Sequence, residues 1–191
     1  MGLAIGIDPS LRATGVCVLD ISDCDPVAVA NLSLFETTGR AGASLADQRR
    51  RITQIAGDVA RVATCAATRD VLVALEGPAF SRGSQSGHHQ LAGLWWLIVD
   101  ELLGHQVDLV VVPPSSRARY ATGRGNASKE SVVDAVARRY PTAMTRGDNN
   151  LVDALVLACM AARHFGSPVE RSLPQSHVAA MSGLRPAHMS D

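Results

Sequence analysis

A short apolar run, Leu3-Ala4-Ile5-Gly6-Ile7, ends on Asp8-Pro9-Ser10, and a second one, Gly15-Val16-Cys17-Val18-Leu19, begins a few residues later. Burying an ionised carboxylate without a partner is expensive. A core strand ending on Asp8 therefore has to deliver that end to a cation, a hydrogen-bond donor or solvent. Asp-Pro-Ser also favours a turn, which leaves a plain alternative: a carboxylate that only accepts from the amides following it. Gly6 and Gly15 carry no side chain, so strands built from them admit a close neighbour, whether chain or ligand.

The pattern around this unit predicts an α/β domain. Residues 3–8, 15–20 and 27–35 read as three strands joined by short turns, an antiparallel meander. Ser44 opens a helix with Asp47 placed as its capping partner. Leu45, Ile52, Ile55, Val59 and Val62 recur there at helical spacing, with Arg49, Arg50, Arg51 and Arg61 mostly off that stripe. Residues 71–75 are continuously apolar, as a buried central strand requires, and stop at Glu76-Gly77-Pro78. The polar, Gly- and Ser-rich stretch 81–89 reads as a loop carrying His88 and His89. A helix over 90–103 and a strand over 107–112 follow, the latter stopped by Pro113-Pro114. Ser128 reads as the N-cap of a helix running to 140, and 151–165 as a last apolar helix. The order β-β-β-α-β-α-β-α-α predicts a mixed five-stranded sheet, three antiparallel strands then two parallel ones, flanked by helices. Residues 1–165 would form this domain, and 166–191, which lack periodicity, a flexible tail.

Glu76 repeats the logic of Asp8. If their strands are parallel neighbours, both acids emerge at one carboxyl edge, where open α/β sheets carry their sites. Asp153 is a third acid, set among Leu151, Val152, Ala154 and Leu155 in the last helix, where an unpartnered charge is costly. Asn150 lies one turn earlier on the same face. Asp148 either caps that helix or swings toward the site. Carboxylates converging without His or Cys suit hard divalent cations, Mg²⁺ or Mn²⁺. Two such ions about 4 Å apart activate a water and stabilise the leaving oxygen in phosphodiester hydrolysis.

The chain has 18 basic and 18 acidic residues, so any attraction to nucleic acid has to be local. It is local here: Arg117, Arg119, Arg124, Lys129, Arg138, Arg139 and Arg146 stand against Glu130 and Asp134. The middle of this stretch, Thr122-Gly123-Arg124-Gly125-Asn126-Ala127-Ser128-Lys129, is a Gly-rich loop entering a helix and contains the only lysine. Backbone amides and the helix dipole favour phosphate at such a place.

Gly6-Ile7-Asp8-Pro9 with Thr14-Gly15, then Leu75-Glu76, the loop Thr122 to Lys129, and Asp153-Ala154-Leu155 together resemble the RuvC-type Holliday-junction resolvases of the RNase H-like nuclease superfamily. The resemblance runs over 3–165. It implies an RNase H-like fold and a homodimeric endodeoxyribonuclease that resolves four-way DNA junctions with two Mg²⁺ ions per site, Mn²⁺ substituting. Asp8, Glu76 and Asp153 match the family's metal-binding acids, with Asp8 bridging the ions. Lys129 matches the basic residue that meets the scissile region, and Arg117, Arg119, Arg124 and Ser128 would bind DNA beside it. The fourth ligand position holds Asn150, a neutral and weaker donor, and Asp148 is the acid able to replace it, as in phage-type relatives. Phe80 is either the aromatic that wedges into the junction or ordinary packing. A bacterial cell or phage-infected host is the implied setting.

Cys17, Cys24, Cys65 and Cys159 form no CxxC pair and fit a reduced cytoplasm. No basic segment precedes a long apolar run, as a signal peptide needs, and the apolar stretch near 91–99 is too short to span a bilayer. Trp95 and Trp96 sit about 100° apart on their helix, so one of them is free to face a partner subunit. Competing functions are a less selective nuclease for flaps and branched DNA, and a non-catalytic branched-DNA-binding module. An actin-like ATPase shares the strand–Asp–turn–strand opening, but such proteins duplicate the domain and 191 residues cannot hold two copies.

Overall fold

The computed structural model describes residues 2–22, 28–65, 70–78 and 85–187. Phe80 and Cys24 lie outside them. Five strands, β1 (Gly2–Asp8), β2 (Ala13–Asp20), β3 (Ala28–Glu36), β4 (Asp70–Glu76) and β5 (Asp108–Val112), form one sheet in the order β3-β2-β1-β4-β5. The pairs β1–β2 and β2–β3 are antiparallel, and β1–β4 and β4–β5 are parallel. This is the mixed sheet that the sequence predicts.

Alternation along the strands divides the core into two layers. Leu3, Ile5 and Ile7 join Val73, Leu75 and Leu109 on one face, covered by helices α1 (Leu45–Thr64) and α2 (Gln85–Gly104) through Ile55, Val59, Leu94, Ile98 and Leu102. Ala4, Ala74, Val110 and Val112 belong to the other layer, with helices α3 (Pro114–Thr122), α4 (Lys129–Arg139) and α5 (Asn149–His164). Every residue of α5 from Val152 to Ala162 is buried, because the helix is covered by the sheet beneath and by other helices above. The small residues of β1 and β2 decide how close it lies. A Cβ on Gly6 would stand 2.0 Å from the Ala154 carbonyl oxygen, and one on Gly15 2.2 Å from that of Asn150.

Several local features differ from the sequence reading. Leu45 is 82% exposed, in the first turn of α1 before the buried stripe begins. Arg51 turns inward and donates to Thr37 Oγ1 at 2.9 Å and to the Leu11 carbonyl, tying α1 to the β1–β2 turn. Helix α2 starts at Gln85, so residues 85–89 of the expected loop are helical; His88 and His89 are exposed in its first turns. Pro114, read as a stop, begins α3 instead. Proline lacks only an amide that the first helical turn leaves unpaired, and Gly123, at φ 81°, ends that helix in the left-handed region.

Residues 166–187 pack against the domain in place of the flexible tail expected. A short helix, Gln175–Val178, and a 3₁₀ turn, Ala179–Met181, lie on α3. The Ala187 amide donates to the Leu109 carbonyl at 2.7 Å beside a bridge from Pro186 to Val110. Buried Glu170 accepts from Tyr120 Oη at 2.7 Å, from Arg163 at 3.1 Å and from Tyr140 Oη. Polar anchors of this kind leave no apolar period to detect. No described helix is long and apolar enough to cross a membrane.

The contact under Gly6 predicts that Gly6→Val destabilises the protein by about 3 kcal/mol in urea unfolding, as overpacking against backbone does. Gly57→Ala on α1, where an added Cβ meets nothing within 4 Å, serves as the control and should gain about 0.5–1 kcal/mol.

Candidate active site

Asp8 and Glu76 are the last residues of β1 and β4. The parallel register pairs Ile7 with Leu75, so the two acids leave the sheet side by side. Parity with Gly6 and Ala74 puts both on the face that α5 covers. The Gly6–Ala154 contact then sets Asp153, one helical position away, above that edge. All three carboxylates are thereby brought together.

Asp8 is 8% exposed, and so is Asp153. Fully buried Thr14 fixes the turn after Asp8, donating from Oγ1 to the Ser10 carbonyl at 2.7 Å and accepting from the Ser10 amide at 3.1 Å. Trp95 Nε1 donates to the Glu76 carbonyl at 2.9 Å, fastening the end of β4 to α2. Asp148 caps α5: its Oδ1 accepts from the amides of Asn150 at 2.9 Å and Leu151 at 3.1 Å. Asn150 sits half-buried on the same helix, its carbonyl against Gly15.

Arg117 reaches in from α3 with its side chain only 13% exposed. Its Nε donates to Glu76 Oε1 at 2.5 Å and its Nη1 to Asp153 Oδ1. The sequence marked Arg117 for DNA contact and missed this pairing. A helix starting at Pro114 was the available signal, since it places Arg117 in the first turn leading off the edge of β5. Trp95 likewise gave no sequence signal beyond its place on an apolar helix.

Burial pushes the Asp8 carboxyl well up, and the Glu76 and Asp153 charges add to this, with Arg117 offsetting part of it. Burial also pushes Asp153 up, to about 6; Arg117 and Lys129 oppose the shift and Glu76 adds to it. The Arg117 guanidinium is disfavoured by burial, but the Glu76 and Asp153 carboxylates more than restore its charge.

Among the described residues, no three His, Cys, Asp or Glu side chains are grouped as a ready-made metal cage. Hard carboxylate oxygens nevertheless form the donor set that Mg²⁺ and Mn²⁺ prefer, and the guanidinium already stands as a cation between two of them. The residues present fit a divalent ion.

Around this centre the basic loop is open. Ser128 caps α4, accepting from the Ser131 amide at 3.2 Å, and exposed Lys129 is the first residue of that helix. Arg119 and Arg124 are exposed too. Arg124, Ser128, Arg138 and Arg139 line an open cavity of about 860 Å³. Arg139 is partly committed, donating to the Tyr120 and Ala121 carbonyls at 3.1 and 2.9 Å.

A meander extended by two parallel strands, with acids at adjacent strand ends beneath a helix carrying a third, is the RNase H-like architecture. Solved structures with this fold include Thermus thermophilus RuvC in complex with a Holliday-junction substrate, at 19% identity and TM-score 0.67 over 96% of this chain and 98% of that one. A second Thermus thermophilus RuvC structure matches at 17% identity and TM-score 0.64, over 96% and 99%. The yeast mitochondrial Holliday junction resolvase Ydc2 matches at 10% identity and TM-score 0.54, over 81% and 75%. No family model matches the sequence, and no curated protein matches it. The chain has the fold of the RuvC-type resolvases.

A carboxyl raised on folding stabilises the folded state at low pH, and that contribution is lost as pH rises through the folded value. For Asp153 the loss falls between its ordinary value of 3.8 and about 6. In EDTA, Asp153→Asn should therefore match the unmodified protein near pH 4 and exceed its stability at pH 8, by on the order of 2 kcal/mol in urea unfolding.

Proposed function

We propose that the protein is a divalent-metal-dependent endodeoxyribonuclease that resolves four-way DNA junctions. The observation that carries this reading is the convergence of Asp8, Glu76 and Asp153 at one sheet edge beside an open, basic, Gly-rich loop. The likeness to a RuvC bound to a Holliday junction supports the choice of substrate. The cytoplasm of a bacterial cell or phage-infected host would be its place of work.

Asp8, with Glu76 and Asp153 on either side, would hold two Mg²⁺ or Mn²⁺ ions. When bound, these ions supply an activated water and neutralise charge at the scissile phosphate. Asp148, whose Oδ1 caps α5, would supply the fourth oxygen donor through its second carboxylate oxygen, with Asn150 on the same helix as the alternative. The Thr14 turn and the Trp95 hydrogen bond hold the backbone at Asp8 and Glu76, so the two strand ends are in place before substrate binds. Lys129, Arg119 and Arg124 would take backbone phosphates, with Ser128 and the first amides of α4 adding donors. Phe80 is the proposed aromatic contact with the opened junction.

Two symmetric cuts require two sites. The outer face of α2 carries Trp96, 64% exposed, and Leu103, 40% exposed, seven positions apart, and this face would meet a second copy of the chain. Trp96→Ala should convert a sedimenting dimer to monomer; a variant that stays dimeric would remove α2 from the interface.

In Mg²⁺ the protein should cut a synthetic four-way junction in preference to matched duplex and flap DNA, and EDTA should stop it. Asp8→Asn should bind the junction but lose cleavage by on the order of a thousandfold. Equal cleavage of flaps would identify a less selective nuclease. Junction binding without cleavage under any metal would identify a branched-DNA-binding module and overturn the reading.

A further inference from the structure

Among the described residues, Arg117 is the basic side chain hydrogen-bonded to the acidic cluster, and it uses two separate nitrogens on two separate acids. Those acceptor oxygens, Glu76 Oε1 and Asp153 Oδ1, are atoms that a bound divalent ion would need. A guanidinium does not shed its proton at any pH that a folded protein meets. It cannot make room by becoming neutral and has to move.

The body of α3 is poorly placed to follow. Its C-terminal carbonyls are held by Arg139, and the Tyr120 carbonyl also lies 2.8 Å from His177 Nδ1. Tyr120 Oη is tied to Glu170 at 2.7 Å, and Arg163 donates to it at 2.9 Å. The motion open to Arg117 is therefore a swing of its flexible stem. A guanidinium leaving two carboxylates in a half-buried cleft needs another anion, since an uncompensated charge there is costly. The planar fork that bridges Glu76 and Asp153 also suits a phosphodiester. Exposed Lys129, whose charge is felt at Asp153, marks the side from which such an anion would come.

We infer that Arg117 is a substrate-gated counter-cation: it holds Glu76 and Asp153 together in the metal-free protein and passes to a DNA phosphate when the site loads, so that DNA and divalent ions bind cooperatively. This rests on the proposed nuclease reading and adds a means of keeping the site closed to metal until DNA is present. Linkage makes the coupling reciprocal. A permanent structural ion pair would add nothing to the coupling that direct contact between phosphate and ions supplies.

The test is a calorimetric titration of Ca²⁺ into the full chain, with and without a four-way junction. The unmodified protein should bind Ca²⁺ on the order of tenfold more tightly when the junction is present. Arg117→Gln should bind it about that much more tightly without DNA and gain much less from the junction. Arg117→Lys retains the charge but not the fork, and should fall between the two. Equal Ca²⁺ affinity of the unmodified protein with and without DNA would overturn the proposal, and needs no variant to fold. So would an Arg117→Gln variant with a native circular dichroism spectrum that keeps the full DNA-dependent gain. Either result, with Mg²⁺-dependent junction cleavage by the unmodified protein intact, leaves the nuclease reading standing. Absence of Ca²⁺ binding together with absence of cleavage would overturn both.

Discussion

The near-contact between the backbone of β1 and that of α5 sets the rest of the arrangement. Gly6 and Gly15 remove the side chains that would hold the helix off the sheet; Ala154 and Ala158 lie against Gly6, and the Asn150 backbone lies against Gly15. Residues at ordinary packing distance would place Asp153 farther from the strand ends. Because the backbones approach so closely, an acid in the first turns of α5 stands over Asp8 and Glu76. The same packing explains why α5 is buried along nearly its whole length. Its polar exception, Asp153, is tolerated because it faces the carboxyl edge and meets Arg117.

That packing creates an electrostatic difficulty. Burial pushes the Asp8 and Asp153 carboxyls up, and the neighbouring acidic charges add to the effect. Arg117 relieves part of it from α3, and the C-terminal segment holds α3 through Tyr120, Glu170 and His177. Residues 166–187 thus bear on the site through α3. Rigid elements here hold unfavourable charges close together, which is the electrostatic basis of the proposed divalent-metal site.

Much of this was legible in the sequence. All five strands follow from apolar runs bounded by turns, and the glycines at 6 and 15 signal close approach. Asp8, Glu76 and Asp153 are recognisable as acids at the ends or borders of apolar segments, where charge has to have a partner. The missed features share a physical cause. Helix α3 was hidden because Pro114 reads as a stop when taken apart from its fitness for a first helical turn. The C-terminal segment is held by tyrosine, arginine and glutamate hydrogen bonds, which carry no hydrophobic period. The Arg117 pairing depends on two elements far apart in the chain, and local pattern does not encode that. Asp148 was ambiguous for a related reason: capping and ligation both use an Asp just before a helix, and the amide contacts at its Oδ1 establish the cap.

The most direct test of the central claim is anomalous diffraction from crystals of the full chain grown with Mn²⁺ and a four-way junction. The account predicts Mn²⁺ peaks coordinated by Asp8, Glu76 and Asp153, with the junction backbone entering beside Lys129. A bound junction with no Mn²⁺ at these three carboxylates would contradict it.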